Sequence, residues 1–131
     1  MILCPECDHG LKLLDQEVSG DRLKCDHCGN IVVRQDGIFR FHPGDAADFD
    51  QHSQEALTAI MDSEGRHFWF ATRAEFLARQ LRRFVRSDAS FADIGAGSGE
   101  IAAKIASWCS DVSAADIQTA GLLRARDRGI V

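Results

Sequence analysis

Two pairs of cysteines are the residues of this chain best suited to do chemistry. Cys4-x-x-Cys7 and Cys25-x-x-Cys28 have 17 residues between them, and Cys109 stands alone. A C-x2-C turn lets both thiolates of one knuckle face a single point, and a second knuckle supplies the other two corners of the tetrahedron that Zn2+ prefers. Met1-Ile2-Leu3 runs straight into Cys4-Pro5-Glu6-Cys7, with no basic n-region or apolar h-region. The setting expected is therefore cytoplasmic, where thiols stay reduced and paired cysteines are metal ligands before they are disulfides. A redox C-x-x-C is the rival reading, but redox motifs do not come as two knuckles on a strand scaffold with turn glycines. Cys4, Cys7, Cys25 and Cys28 are expected to hold one structural zinc ion. His9 and His27 lie beside a tetrahedron that four cysteines already fill.

A second group is glycine-rich. Asp93-Ile94-Gly95-Ala96-Gly97-Ser98-Gly99-Glu100 follows a short apolar strand and precedes a helical run. A dinucleotide loop needs G-x-G-x-x-G and a helix N-terminus aimed at a pyrophosphate. Here the third glycine comes one residue early, and Glu100 stands where it would repel that phosphate. No Gly-Lys-Ser/Thr follows, so a P-loop fails as well. S-adenosylmethionine has no phosphate but carries an ammonium, a sulfonium and a carboxylate, so an acidic residue ahead of a close-approach glycine loop suits it. Nineteen residues after Gly97, Asp116 ends the next apolar strand, where a carboxylate can take both ribose hydroxyls. Asp93, Gly95, Gly97, Gly99 and Asp116 are the expected donor-binding residues.

The elements that must position these groups follow from hydrophobic spacing. Up to about residue 41 the apolar runs are short, Leu11–Leu14, Arg22–Lys24, Ile31–Val33 and Ile38–Phe41, broken by Gly10, Gly20, Gly29-Asn30 and Asp36-Gly37; this is strand-and-turn punctuation. The acidic stretch Gly44–Asp50 has turn residues and no apolar period, which predicts a linker and a boundary near 42–50. Ser53–Ser63 predicts a short helix. Phe70, Ala74, Leu77, Leu81, Phe84 and Val85 recur at three- and four-residue spacing and predict a helix over about 66–86. Next come the strand at Phe91–Ile94, a helix at Glu100–Trp108, a strand at Val112–Ile117 and a helix at Thr119–Asp127 closed by Gly129, with Ile130-Val131 opening a third strand. The organisation read from this is a ribbon over 1–44, an acidic linker and helical connector over 45–89, and an incomplete α/β domain over 90–131.

Two resemblances sit on these residues. Cys4-Pro5-x-Cys7, then x-Leu23-x-Cys25-x-x-Cys28-Gly29, Val33 and Asp36-Gly37-Ile38 resemble the zinc ribbons of the small methyltransferase-activator proteins, over about residues 1–41. Members of that family have Tyr-Pro before the Asp-Gly-Ile turn and Pro after it, where this chain has Val33-Arg34 and Phe39. Asp93-x-Gly95-x-Gly97-x-Gly99 with Asp116 resembles the first two motifs of the class I S-adenosylmethionine-dependent methyltransferases, over about residues 88–131. That resemblance implies a Rossmann-like sheet in which Gly95 and Gly97 approach the methionine part, Asp93 meets its amino group directly or through water, and Asp116 binds the ribose. Glu64 followed by His67-Phe68-Trp69-Phe70-Ala71-Thr72-Arg73 resembles the aromatic helix that precedes the first strand in many bacterial members. Trp69 and Arg73 then either cover the donor pocket or meet substrate, or else the aromatics are core and Arg73 belongs to a solvated face with Arg66, Arg79, Arg82, Arg83 and Arg86.

Composition limits what else the chain does. Of 131 residues 45% are apolar and 27% charged, and the net charge of -5 argues against a protein built mainly to grip a phosphate backbone. Nucleic acid is unsupported as a partner without being excluded. The charge is uneven: five bases against seven acids over 1–44, none against six over 45–65, six against two over 66–90 and four against five over 91–131. No apolar run reaches the 18 residues of a membrane span, so no membrane is expected. About 44 residues with few large apolar groups cannot build a core, and structural zinc, at roughly 10–16 kcal/mol of apparent binding free energy, supplies the missing stability. The class I resemblance implies about seven strands, of which two, and the start of a third, fit here. The expectation is a fragment or truncated form of a methyltransferase with an unknown acceptor, no nameable catalytic residue, and a tendency to self-associate through an unpaired strand edge. The alternative is a non-catalytic zinc-ribbon module that binds a partner protein or RNA.

Overall fold

The computed structural model describes residues 2–14, 21–41 and 54–130 of the chain. The acidic stretch Gly44–Asp50 and the predicted strand residue Val131 lie outside them. The chain divides into two compact units, Met1–Asp45 and Ala46–Val131, and is a mixed α/β protein with an antiparallel sheet in the first and a parallel pair of strands in the second.

The first unit is a four-stranded antiparallel sheet in sequence order: β1 (Leu11–Leu13), β2 (Arg22–Cys25), β3 (Ile31–Gln35) and β4 (Ile38–Arg40). Asp36 and Gly37 both have positive φ, 52° and 83°, the Asp-Gly chemistry of a two-residue hairpin turn between β3 and β4. Register puts Leu23 opposite both Leu13 and Val32. Leu23, Cys25 and Val32 are buried with Cys4, and no other described residue of this unit is. Such a core is too small to hold four strands by itself.

The second unit contains α1 (Gln54–Ser63), α2 (Phe68–Leu81), β5 (Ser90–Ile94), α3 (Glu100–Ile105), β6 (Asp111–Ala115) and α4 (Thr119–Asp127). β5 and β6 pair in parallel, Ser90 opposite Asp111 through Ile94 opposite Ala115. Phe91, Asp93, Val112 and Ala114 are the less exposed residues of the two strands, and alternation puts Phe91 and Asp93, and likewise Val112 and Ala114, on a single face. Val112 and Ala114 pack on a core of Ala102, Ala125 and Ile130.

Several predicted boundaries move, each for a local reason. The helix expected over 66–86 is α2: the His67 ring accepts the Trp69 amide at 3.3 Å and caps it, and the chain leaves the helix in a turn at Arg82–Phe84. The apolar stripe is also narrower than its spacing suggests. Of the stripe only Ala74 is buried, with Ala78, which the spacing left out, beside it on α2, whereas Phe84 is 78% exposed. α3 stops at Ile105 and not Trp108, because its last turn tightens to Ser107-to-Lys104 and Trp108-to-Ile105 bonds. β6 ends at Ala115, before the predicted Ile117, since the Asp116 carboxylate accepts the Gln118 amide and turns the chain. Gly129, at φ 86°, closes α4 as expected, donating to Arg126 while Ile130 donates to Ala125. Ile130 is thereby buried as a helix stop and not as the first residue of a third strand.

Candidate functional site

The two cysteine knuckles converge. All four Sγ atoms of Cys4, Cys7, Cys25 and Cys28 lie within 4.8 Å of one another. Cys4 Sγ is 3.6 Å from Cys28 Sγ, and Cys7 Sγ is 3.5 Å from Cys25 Sγ. A disulfide would need about 2.05 Å. A tetrahedron with Zn–S bonds of about 2.3 Å has edges of about 3.8 Å, close to the separations found. The residues fit a zinc ion on distance as well as on type.

Backbone amides finish the site. The Cys28 and His27 amides lower the Cys25 thiol to about 7 against desolvation. Although the His9 amide favours its thiolate, Cys7 is pushed up to about 12 by desolvation and by the other three sulfurs. Four thiols packed together thus share protons unequally until a cation displaces them. Asn30 reaches Cys4 Sγ at 3.7 Å, and outer-shell donors of this kind orient metal ligands. Outside the four sulfurs, the His9 and His27 rings stack at 3.7 Å, and His9 Nδ1 lies 2.8 Å from the Cys7 carbonyl.

The glycine loop sits at the C-terminal ends of β5 and β6. Gly95, Gly97 and Gly99 have φ of 75°, 54° and 71°, values that L side chains rarely adopt. A Cβ at Gly95 or Gly97 would meet nothing within 4 Å, so both face open space. One at Gly99 would come 2.6 Å from the Ala125 Cβ. The three glycines therefore do different work: the first two leave room beside the loop, and the third lets the loop pack on α4. Gly95 and Ala96 donate to the Ala115 carbonyl at 2.8 and 3.1 Å.

Asp116 Oδ2 accepts the Gly97 amide at 2.7 Å and Oδ1 accepts the Gln118 amide at 2.7 Å. Asp93 and Asp116 are close enough for the charge of Asp116 to raise the proton affinity of Asp93, which desolvation has already raised. The Arg73 guanidinium and the Ala102 amide oppose that rise. Asp93 Oδ2 is buried and, among the described residues, has no hydrogen-bond partner. Arg73 also acts on Glu100, whose carboxyl is raised first by desolvation and then by Glu64. Trp69 is 59% exposed.

Sequence reasoning missed three features here. The first is that Asp116 latches the loop: an acidic residue at a strand end reads as a ligand group, and nothing in the spacing reveals its bond to the Gly97 amide. The second is Glu64, which accepts the hydroxyl of the buried Ser98 and lies 3.4 Å from Arg128; its motif placed it ahead of α2, not against the loop. The third is Gly121 on α4, where a Cβ would come 2.5 Å from the Gly97 carbonyl oxygen.

Among the described residues, no helix is long and apolar enough to cross a membrane. The sequence matches no protein-family model and has no significant match among curated proteins.

Proposed function

We propose that this is an S-adenosylmethionine-dependent methyltransferase chain with a structural zinc ribbon, in which residues 88–131 supply the donor-binding part of a Rossmann-like domain. The observation that carries the reading is the buried, unbonded Asp93 Oδ2 next to a loop whose first two glycines open onto free space. A buried carboxylate oxygen without a donor is costly, and an ammonium group is the partner that removes the cost. The donor, when bound, supplies an electrophilic methyl group on a sulfonium.

The residues divide the binding work. Asp93 holds the ammonium, Gly95 and Gly97 let the backbone come close to the methionine part, and Gly99 fixes the loop on α4. Asp116 keeps one lone pair per oxygen in its bonds to Gly97 and Gln118, and each oxygen retains capacity for a ribose hydroxyl. Arg73, whose charge falls on Asp93 and Glu100, offers a cation on the same side. In-line methyl transfer is helped mainly by positioning, and no described residue is assigned as a general base. In the ribbon, zinc held by Cys4, Cys7, Cys25 and Cys28 is structural: four thiolates fill its tetrahedron and leave no open position for substrate.

Amide chemical shifts of the zinc-loaded chain, titrated with S-adenosylmethionine, test the donor site even where binding is weak. Shifts are expected at Gly95–Gly99 and Asp116, lost in Asp93→Ala and reduced in Asp116→Ala. Equal shifts in both variants, no shift in the parent chain, or stronger shifts with a nicotinamide dinucleotide would overturn the assignment.

A further inference from the structure

The turn after α1 reaches into the glycine loop. Asp62 and Glu64 flank Ser63, where α1 ends. Each meets an arginine at the end of α4: Asp62 Oδ1 is 2.6 Å from the Arg124 guanidinium, and Glu64 Oε2 is 3.4 Å from that of Arg128, one turn on. The two acids differ in exposure, and the difference decides their roles. The Asp62 side chain is 52% exposed, and an ion pair of that kind contributes little. The Glu64 side chain is 13% exposed, and its Oε2 also accepts the Ser98 hydroxyl.

Ser98 is the one buried polar residue among those described, and it sits between Gly97 and Gly99, both at positive φ. Neither glycine has a side chain by which the loop can be held. The Asp116 carboxylate fixes the Gly97 amide, and Ser98 Oγ is the second handle. Its partner comes from outside the β5–α3–β6–α4 run, from the α1–α2 turn. Packing alone does not call for a charge there, because apolar groups of the same shape can replace both partners of a buried polar pair at nearly no cost. The charge also burdens its neighbour: the Glu100 carboxyl, raised first by desolvation, is raised further by Glu64. What the carboxylate adds is a strong, directional acceptor for one hydroxyl.

We propose that Glu64 is a positioning residue of the glycine loop: by accepting the Ser98 hydroxyl it holds Gly97–Gly99 in the conformation that leaves space beside Gly95 and Gly97. Two carboxylates then clamp the loop, Asp116 on the Gly97 amide and Glu64 on the Ser98 side chain, and the α1–α2 turn becomes part of the site. That the held loop favours the methyl donor rests on the reading above; the hold itself does not.

Hydrogen exchange of the zinc-loaded chain reads the hold without any ligand. Glu64→Ala and Ser98→Ala should each speed exchange of the Gly97 and Gly99 amides about tenfold, as loss of one charge-assisted bond implies, with the Phe91–Ile94 amides little changed. The double variant should be no faster than either single one, because both remove the same bond. Glu64→Gln keeps an acceptor for the hydroxyl and should restore most of the protection. Asp62→Asn, on the exposed pair, should leave the loop at the parent rate. Exchange that accelerates equally across β5, α3 and α4, additive single effects, a Gln variant as fast as Ala, or an equal effect of Asp62→Asn would each overturn the proposal. Amide-shift titration with S-adenosylmethionine separates the two readings. Affinity about tenfold weaker in Glu64→Ala and near that of the parent in Glu64→Gln is expected. No shifts in the parent chain would defeat the donor reading alone and leave the exchange result to decide this one. Parent-like affinity in Glu64→Ala would show that the hold does not serve the site.

Discussion

The two units build their candidate sites from opposite materials. In Met1–Asp45 the side chains converge and the backbone supports them: four sulfurs meet at a point, while amides of the knuckles and Asn30 steady them. In Ala46–Val131 the side chains withdraw and the backbone itself forms the site. There the loop is glycine-rich, its packing neighbours are Ala125 and Gly121, and the Asp116 carboxylate just past β6 latches it. A metal held by the four sulfurs would be part of the first fold; the second builds its fold from close packing and leaves a space beside Gly95 and Gly97. Stability should therefore depend on the metal in one unit and on close packing in the other.

Removing zinc should give the largest effect and should confine it to one unit. Chelation, or Cys25→Ser, is expected to collapse the amide dispersion of residues 2–41, because binding worth roughly 10–16 kcal/mol exceeds what Leu23, Val32 and their few neighbours provide. Residues 90–130 should keep their spectrum. Metal analysis gives the stoichiometry, expected at one zinc per chain. A ribbon still dispersed without metal would break the comparison at its root.

Close packing predicts the next largest effect. Gly121→Ala puts a Cβ 2.5 Å from the Gly97 carbonyl oxygen, a backbone atom that cannot swing aside. A cost of about 1–3 kcal/mol is expected, read as a lower melting temperature of the second unit with the ribbon unaffected. Gly65 is the internal control. A Cβ there meets nothing within 4 Å, so Gly65→Ala should be neutral or slightly stabilising. Equal melting shifts for the two variants would mean that close approach to the loop is not what holds the unit.

The same contrast explains what was legible in the sequence. The cysteine spacing shows which side chains converge because metal-ligand chemistry demands particular residues, and the Asp36-Gly37 and Gly129 turns show because φ demands them. Helix and strand ends were less legible. Capping by His67 and the turn made by Asp116 are single contacts that leave hydrophobic periodicity unchanged. Least legible were Gly121 against Gly97 and Glu64 against Ser98, residues that meet only after the chain has folded. A glycine in a helix reads as a weak helix former until its neighbour is known.

The smallest expected effect is the sharpest test of the second unit, because its sign is unusual. A carboxylate normally gains a partner on folding; Asp93 is instead held above its ordinary range, first by desolvation and further by Asp116. A carboxyl raised in the folded state favours folding only when protonated. Its contribution is full below the unfolded value of about 3.9 and is lost as pH rises through the higher folded value. At neutral pH the charged group is a burden, so Asp93→Asn should stabilise the second unit there. The gain is under about 1 kcal/mol, since the side chain is only partly enclosed and solvent screens it. It should vanish below about pH 4, where Asp93 is protonated in both states. Glu100 is raised in the same direction, so the test is the difference between variant and parent across the pH range, which cancels the Glu100 contribution. The same variant should lose the shifts induced by S-adenosylmethionine, because a neutral amide no longer calls for an ammonium. Stabilisation together with lost binding is what a group kept for a ligand predicts. A variant less stable at neutral pH, or one whose gain persists in acid, would show that Asp93 serves the fold instead, and the loop would then lose the feature that separates it from a packed glycine turn.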